Sequence, residues 1–496
     1  MSAPFRSTFY SSILFHSRFN PYSIACVFGE EHVTYQRFAK DIERTTRRLA
    51  ALEVGAARRV LVNVAHPYVH WLLTIALGRM GVVSVTAFGS DSELFRFTGA
   101  EVVLTDQDLL GGERRIIRVT KDWLAGPTNE FPAFVDREHG YDDPLRLVLS
   151  SGTTGKPKKI VITYGQFQHR VFSGSLGAAA APTARVMAMV GADTVGGYQL
   201  PMATWAHGGR VVMLLPKDNA YITLRRNGVS VAFMSPVQLA GMLKSMPRDA
   251  WPVEGLTVSV GGSALPHDLA QQARLRLTSQ LMVVYGSTEV GTVYRMNASM
   301  ENGVTGGYVV PSVEVQVVDS DGQPVSHGQV GEVRVRGATA VSGYADEPRE
   351  EISAQTAFRD GWFYPGDAGV LTAGGLLAIV GRTQELMNLG GIKVAPTLIE
   401  DAIRACEGIA DMAAFAVDQA GATEQPWVAV VRGMGFDAAA VISRFKQRFP
   451  QLPSLRVAYI DAIPRNGMGK VLRGELRRMV KAQQLALAPI ETAVLH

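Results

Sequence analysis

Four short stretches of this sequence concentrate groups that bind negative charge or move it. The first is Ser150-Ser151-Gly152-Thr153-Thr154-Gly155-Lys156-Pro157-Lys158. Its glycines let the backbone turn N–H groups inward, and its hydroxyls and lysines complete a cradle for a polyphosphate. A Walker A loop would place four residues between its glycines and a Ser or Thr after the lysine; here two intervene and Pro157 follows Lys156. The second stretch is Tyr285-Gly286-Ser287-Thr288-Glu289. Tyr285 could stack on a base, Thr288 could bond a phosphate oxygen and Glu289 could hold Mg²⁺; the same residues also read as a strand ending in a helix-capping turn. In the third, Tyr364-Pro365-Gly366-Asp367, a carboxylate on a tight turn could accept bonds from both hydroxyls of a ribose, or merely cap the turn. The fourth runs from Pro464 to Arg473. Gly467 and Gly469 loosen a loop on which Lys470, a compact cation, could meet charge developing on phosphate.

Phe38, Ile42, Leu49 and Leu52 recur at helical spacing and predict a helix across 34–52. Short β-branched or apolar runs follow at Val60–Val64, Val82–Thr86, Val102–Thr105, Leu145–Leu149, Ile160–Thr163, Val211–Leu215, Val231–Met234, Leu256–Val260 and Leu281–Val284. Alternating with helical stretches, they predict βαβ units and a mostly parallel sheet. Ligands of open α/β sheets sit beyond the strand C-termini, where the first two motifs fall. From about 303 to 380 the strands alternate apolar and polar residues around Asp321-Gly322, a hairpin signal that predicts antiparallel sheet. Beyond Gly381-Arg382 the pattern is helix (396–406), strand (413–417), strand (427–431) and helix (437–449). The expected fold class is α/β. Residues 1–382 form a large core of layered, mostly parallel sheets with helices and a small antiparallel subdomain, and 383–496 form a smaller α+β domain.

Of 496 residues, 47% are hydrophobic and 19% charged, which excludes disordered, collagenous and coiled-coil classes. A net charge of +4 is too weak to argue for nucleic acid. Cys26 and Cys406 stand alone, so neither a disulfide framework nor a structural zinc site is expected. Val60–Gly78 is uncharged and long enough to cross a bilayer. Asn63, His66, Pro67 and His70 divide it into a buried strand and a helix from about Tyr68 to Met80, so no membrane span is expected. The N-terminus lacks the pattern of a signal peptide, and the expected location is the cytoplasm.

Together and in this order, the motifs resemble those of the ANL superfamily of adenylate-forming enzymes: acyl- and aryl-CoA synthetases, peptide-synthetase adenylation domains and luciferases. The resemblance covers nearly the whole chain. It implies that Ser150 to Lys158 is the phosphate loop for ATP, that Tyr285 stacks on adenine, that Thr288 contacts the α-phosphate and that Glu289 binds Mg²⁺. Gly261-Gly262-Ser263 would line the adenine and acyl pockets. Asp367, helped by Arg382, would hold the ribose, and Lys470 would be the catalytic lysine of a mobile C-terminal domain. Gln384 would stand at the hinge, where the family usually has Asp or Lys, and Gly391 along the tunnel of the thiol. Lys159 departs from the Lys-Gly with which the phosphate loop usually continues, and Val82–Gly99 is short and atypical for the family.

The implied reaction is ATP-dependent activation of a small carboxylic acid to acyl-AMP with release of pyrophosphate, then transfer to a thiol. Coenzyme A is the expected acceptor; the alternative is a stand-alone enzyme loading an amino or aryl acid onto the phosphopantetheine of an acyl or peptidyl carrier protein. Asp193, Phe233, Met234, Gly261, Gly262 and Tyr285 are the candidate walls of the acid pocket. Asp193 fits two roles, a partner for a substrate amine or a helix N-cap. From Arg444 onward ten Lys/Arg face only Asp461, Glu475 and Glu491. That tail could receive the phosphates of coenzyme A or an acidic carrier, or form a solvated basic helix. With only Phe445, Phe449 and Tyr459 as aromatics over 444–481, it does not read as a nucleic-acid surface.

Overall fold

The computed structural model describes residues 5–6, 8–89, 91–108, 114–127, 130–150, 157–175, 181–297, 306–346, 356–418, 424–465 and 471–487. The chain packs as two compact units, Met1–Val315 with Val335–Phe363 and Gln316–Arg334 with Tyr364–His496.

The first unit contains β1 (Ile24–Phe28), β2 (Glu31–Thr34), β3 (Arg59–Asn63), β4 (Val83–Thr86), β5 (Val102–Thr105), β6 (Arg115–Arg118), β7 (Pro144–Ser150) and β8 (Lys158–Thr163). It continues with β9 (Arg185–Ala188), β10 (Arg210–Met213), β11 (Val231–Met234), β12 (Thr257–Gly261), β13 (Gln280–Ser287), β14 (Gly291–Asn297) and β15 (Gly306–Val309). One sheet runs β8-β7-β4-β3-β5-β6, and the other runs β15-β14-β13-β12-β11-β9-β10-β1-β2. The inner strands are parallel. Their near-continuous apolar runs suit strands covered on both faces. Besides the β1–β2 hairpin and the β14–β15 pair, two strands next to the candidate ligand loops depart from the expected parallel texture. β8 returns antiparallel to β7, and β14 returns antiparallel to β13.

The stretch with the length of a membrane span resolves into β3 and helix α2 (Pro67–Met80), preceded in the chain by α1 (Tyr35–Ala51). Pro67 opens α2 and Gly81, at φ +72°, closes it, the usual asymmetry of helix ends. Every residue of α2 from His70 to Met80 is buried, as expected of a helix that is apolar all round. Among the described residues no helix is long and apolar enough to cross a membrane.

Two further helices, α3 (Tyr164–Ser175) and α4 (Val195–Ala206), complete the surroundings of the site. Trp205 on α4 is fully buried and donates from Nε1 to the Ala25 carbonyl at 2.9 Å, with Phe38 and Trp71 against its ring. Two large buried cations of this core are each held by polar partners, although among the described residues Nε and Nη1 of Arg146 have no hydrogen-bond partner. Arg79 is met by Glu43, Asp136 and Thr46. Arg146 gives Nη2 to Thr86 Oγ1 at 2.9 Å and to the Ala192 carbonyl, and its guanidinium lies 4.0 Å above the Tyr198 ring.

The second unit begins with the hairpin of β16 (Val313–Val318), which crosses into it, and β17 (Val330–Gly337), turned at Asp321-Gly322 with Gly322 at φ +75°. β18 (Asp367–Leu371) pairs with β17 and with β19 (Leu376–Arg382). β20 (Met387–Leu389) and β21 (Ile392–Val394) form a tight hairpin. The last layer is a four-stranded sheet of β22 (Ile409–Asp418), β23 (Glu424–Arg432), β24 (Arg456–Tyr459) and β25 (Ala486–Leu487). In β22, Met412, Ala414 and Ala416 point into one core with α5 (Pro396–Ile403) and α6 (Ala438–Arg448). The alternate residues Ala413, Phe415 and Val417 point into a second core with α7 (Arg473–Lys481). That period-two division places helices on both faces of the sheet.

His70 yields a test of the first unit. It is 2% exposed, with Nε2 3.1 Å from Thr86 Oγ1. Burial first, and the Arg146 guanidinium second, hold its pKa down to about 3, against the ordinary 6.5. The unfolded chain therefore takes up a proton that the folded chain refuses as pH falls below 6.5. Stability should fall through this window by up to about 1.4 kcal/mol per pH unit on account of this one group. In urea titrations at several pH values, His70→Gln should flatten the profile between pH 6 and 4, once its fixed cost is subtracted. An unchanged slope would remove His70 as the cause.

Candidate active site

Ser150, the last residue of β7, stands opposite Lys158, the first of β8, so the two ends of the first motif are held in register by an antiparallel pair. Ser151, Gly152, Thr153, Thr154, Gly155 and Lys156 lie outside the described residues. Below the loop, Lys159 Nζ meets Asp346 Oδ2 at 3.0 Å, and Arg59 grips the same carboxylate with both Nη atoms. The Arg59 bonds, followed by Lys159, hold the Asp346 carboxyl down to about 2. Lys158 Nζ lies 4.2 Å from the centre of the Tyr344 ring, a cation–π contact. The Tyr344 hydroxyl in turn donates to Glu289 Oε1 at 3.3 Å.

Glu289 stands on a turn between two strands, not at the start of a helix. β13 ends at Ser287 and β14 starts at Gly291. The pair is kinked by a bulge after Tyr285, where Gly286 and Gly291 approach so closely that a Cβ on Gly286 would lie 2.0 Å from the Gly291 carbonyl oxygen. The Tyr285 ring stacks on Tyr294 across the pair at 5.1 Å. The structure thus brings the base of the Ser150–Lys158 motif and the Tyr285–Glu289 motif together through Tyr344. Neither Tyr344 nor Arg170, which binds the carbonyls of Thr288 and Glu289, was singled out in the sequence. For Arg170 a signal existed: it is a charge three residues after Phe167, on the inward stripe of α3.

The next strand contributes the remaining wall of this region. Gly261 pairs with Val284, and a Cβ on it would sit 3.1 Å from the Val284 oxygen and 3.2 Å from the Phe233 ring. Gly262, at φ +92°, faces open space and Ser263 is exposed. The Phe233 ring also closes on Gly196. Met234 points the other way and is fully buried in the core with Leu239 and Val258, so it is not a pocket wall. The N-cap of α4 is Thr194, whose hydroxyl accepts from Gly197 N at 3.0 Å. Asp193 is therefore not the cap.

In the second unit Asp367 and Arg382 are cross-strand partners, with Nη1 to Oδ1 at 3.2 Å and Nη1 donating to the Pro365 carbonyl at 2.7 Å. Asp367 is 8% exposed, behind Gly366 at φ +73°. Gln384 is exposed in a short 3₁₀ turn. Gly390 and Gly391 form the tip of the β20–β21 hairpin, both at positive φ, the geometry a two-residue hairpin loop demands. Lys470 lies outside the described residues. Its loop is closed on either side by a bridge between Arg465 and Val471 and by Leu472 N on the Pro464 carbonyl at 2.9 Å. Arg473 is no solvated tail residue. It pairs with Glu385 and Glu400, both at 2.8 Å, and donates to the Ala414 carbonyl.

The family model for AMP-binding enzymes matches residues 16–345, which contain the Ser150–Lys158 motif, the Tyr285–Glu289 turn and Tyr344. The chain belongs to the AMP-binding enzyme family. As such it is an adenylate-forming enzyme of the ANL superfamily, an AMP-forming acid–thiol ligase. This AMP-binding enzyme is 24% identical over 473 residues to the 2-succinylbenzoate--CoA ligase of Bacillus mycoides strain KBAB4, with 93% of this chain and 96% of that protein covered. The corresponding ligase of Bacillus cereus strain Q1 is 24% identical over 471 residues, with the same coverage. Among solved structures, ATP-bound MatB from Rhodopseudomonas palustris matches with a TM-score of 0.79 at 22% identity, over 96% of this chain and 99% of that one. The o-succinylbenzoate CoA synthetase (MenE) from Bacillus subtilis, in complex with ATP and magnesium ion, matches with a TM-score of 0.77 at 20% identity, over 96% and 100%. At these identities the likeness of the structures is one of fold.

The close approach at Gly286 predicts a position that tolerates no side chain. The obstructing atom of Gly286→Ala is backbone and cannot rotate away, so the cost should exceed the about 1–3 kcal/mol of ordinary overpacking. The turn carrying Thr288 and Glu289 should shift with it. Acid-dependent ATP–pyrophosphate exchange should be lost in this variant, whereas Gly241→Ala, with open space around it and no positive φ, should keep full exchange. Full exchange in Gly286→Ala would contradict the tight bulge.

Proposed function

We propose that this enzyme joins ATP and a small carboxylic acid to give acyl-AMP and pyrophosphate, and then transfers the acyl group to coenzyme A. The observation that carries the reading is the Tyr344 bridge, which brings the base of the phosphate loop and the Glu289 carboxylate into one place. A carboxylate is a poor electrophile and must be activated. Its oxygen attacks the α-phosphorus of ATP, the bond to the pyrophosphate oxygen breaks, and both electrons leave with pyrophosphate. Catalysis of such a step is mainly positioning and stabilisation of spreading charge.

The roles follow from chemistry and placement. Ser150 through Lys156 cradle the phosphates, Thr288 bonds the α-phosphate, and Tyr285 with Gly261, Gly262 and Ser263 borders the adenine. Glu289 fits Mg²⁺. It is a single, largely buried carboxylate, no cluster of three or more acidic, His or Cys side chains forms among the described residues, and Mg²⁺ prefers one or two carboxylates with phosphates and waters. The bound ion would neutralise phosphate charge. In the second unit, Asp367, fixed by Arg382, holds the ribose hydroxyls and Lys470 meets charge on the α-phosphate as pyrophosphate departs.

The functional boundary in this reading follows Arg382, with residues 383–496 moving about Gln384 between the two steps and Gly391 bordering the thiol. Coenzyme A as acceptor is supported by the named activity of the relatives. The acid pocket, with Phe233, Gly196 and Gly261, suits an apolar acid. Arg146, buried beside this region, holds the Ala192 carbonyl next to Asp193.

Lys470→Ala tests the division of labour. Acyl-AMP formation should drop by at least about a hundredfold, as for loss of one preorganised charge donor, while thioester formation from supplied acyl-AMP stays near wild type. The two steps would be compared in pyrophosphate release and in single-turnover transfer to coenzyme A. Equal damage to both would make Lys470 structural and refute the alternation; no damage to either would remove its role.

A further inference from the structure

Arg170 is a buried cation that the reaction, as derived so far, leaves without a task. It lies on α3 and is 2% exposed. Nε and Nη2 donate to the Thr339 carbonyl at 2.9 and 2.7 Å, Nη1 to the Thr288 carbonyl at 3.0 Å, and Nη2 to the Glu289 carbonyl at 3.1 Å. Among the described residues no carboxylate lies within ion-pair distance of it. A charge taken out of water, hydrogen-bonded only to carbonyl groups and attracted to the nearby charge of Glu289, is costly. A guanidinium supplies what an apolar side chain cannot, a planar fork that fixes several acceptors at once.

We propose that Arg170 is a positioning residue that sets the magnesium affinity of the site by clamping the Thr288–Glu289 turn; the proposal rests on the reading of Glu289 as the metal-binding carboxylate. The three clamped carbonyls belong to two segments. One is the turn that carries Glu289. The other, at Thr339, leads within five residues to Tyr344, the donor to Glu289 Oε1. Between them, Val341 N adds a bond to the Glu289 carbonyl at 2.8 Å. Arg170 therefore fixes the peptide planes on both sides of the Glu289 Cα, and with them the direction of its side chain. It also fixes the strand that holds the tyrosine against that carboxylate. Loss of the clamp frees the carboxylate to sample directions that do not meet the ion.

The test uses the full chain and equilibrium binding of ATP, followed by calorimetry across a magnesium titration. Arg170→Met keeps the length and loses every donor; Arg170→Lys keeps the charge but cannot hold three carbonyls; Glu289→Gln is the reference. The magnesium concentration for half-maximal tight ATP binding should rise about tenfold or more in Arg170→Met and by less in Arg170→Lys, as for groups that orient metal ligands. ATP binding without magnesium and the KM for the acid should not change. A lowered melting temperature with an unchanged magnesium midpoint would make Arg170 merely structural and overturn the proposal. Should Arg170→Met fail to fold, an unchanged midpoint in Arg170→Lys would overturn it equally. If the Arg170 variants leave the midpoint unchanged while Glu289→Gln shifts it, the clamp alone is wrong. If Glu289→Gln leaves it unchanged, the metal reading of Glu289 falls, and the proposal with it.

Discussion

Two glycine backbones that meet without space for one methyl group set the geometry of this enzyme's site. At Gly286 and Gly291 the parallel sheet of the first unit stops propagating. β13 does not feed a helix but folds straight back as β14. Thr288 and Glu289 are left at the apex, on backbone whose carbonyls have lost their ladder partners. Buried carbonyls need donors, and the chain supplies Arg170 from α3 and Val341 N from a distant segment. The same segment brings Tyr344 to Glu289, and the Tyr344 ring in turn meets Lys158 at the end of the Ser150–Lys158 motif. A tight backbone contact thus dictates a clamp, and the clamp gathers three remote stretches of sequence around one carboxylate.

The sequence made the parallel strands legible because each is a short β-branched run bounded by turn residues, and α2 because Asn63, His66, Pro67 and His70 break the long uncharged run into strand and helix. The motifs were legible because glycine, hydroxyl and lysine cluster directly after apolar runs. The two antiparallel returns were not. Ile160–Thr163 and Gly291–Asn297 carry nothing that tells a returning strand from one reached through a helix; the decision lies in the length and geometry of the loop before them. Tyr344 and Arg170 were missed for a related reason. Each acts on a residue more than fifty positions away, and a contact of that range leaves no local period. Met234 misled because strand alternation was not applied to it: Phe233 and Met234 are neighbours and must face opposite sides. At Asp193, two adjacent capping residues competed, and only the geometry of α4 shows that Thr194 takes the role.

In the second unit the same economy holds. Arg473 ties the start of α7 to Glu385, next to Gln384, and to Glu400 on α5. Residues that flank the Lys470 loop are thereby joined to residues that follow Arg382, through a guanidinium that is largely shielded from water. Such a pair costs more to break than an exposed one.

Attack of a carboxylate oxygen of the acid on the α-phosphorus of ATP leaves a mark that can be weighed. A carboxylic acid labelled with heavy oxygen in its carboxyl group would be supplied together with ATP, magnesium and coenzyme A, and the nucleotide product analysed by mass spectrometry. AMP should carry a single labelled oxygen and pyrophosphate none. Unlabelled AMP, or label in orthophosphate released alongside ADP, would rule this attack out.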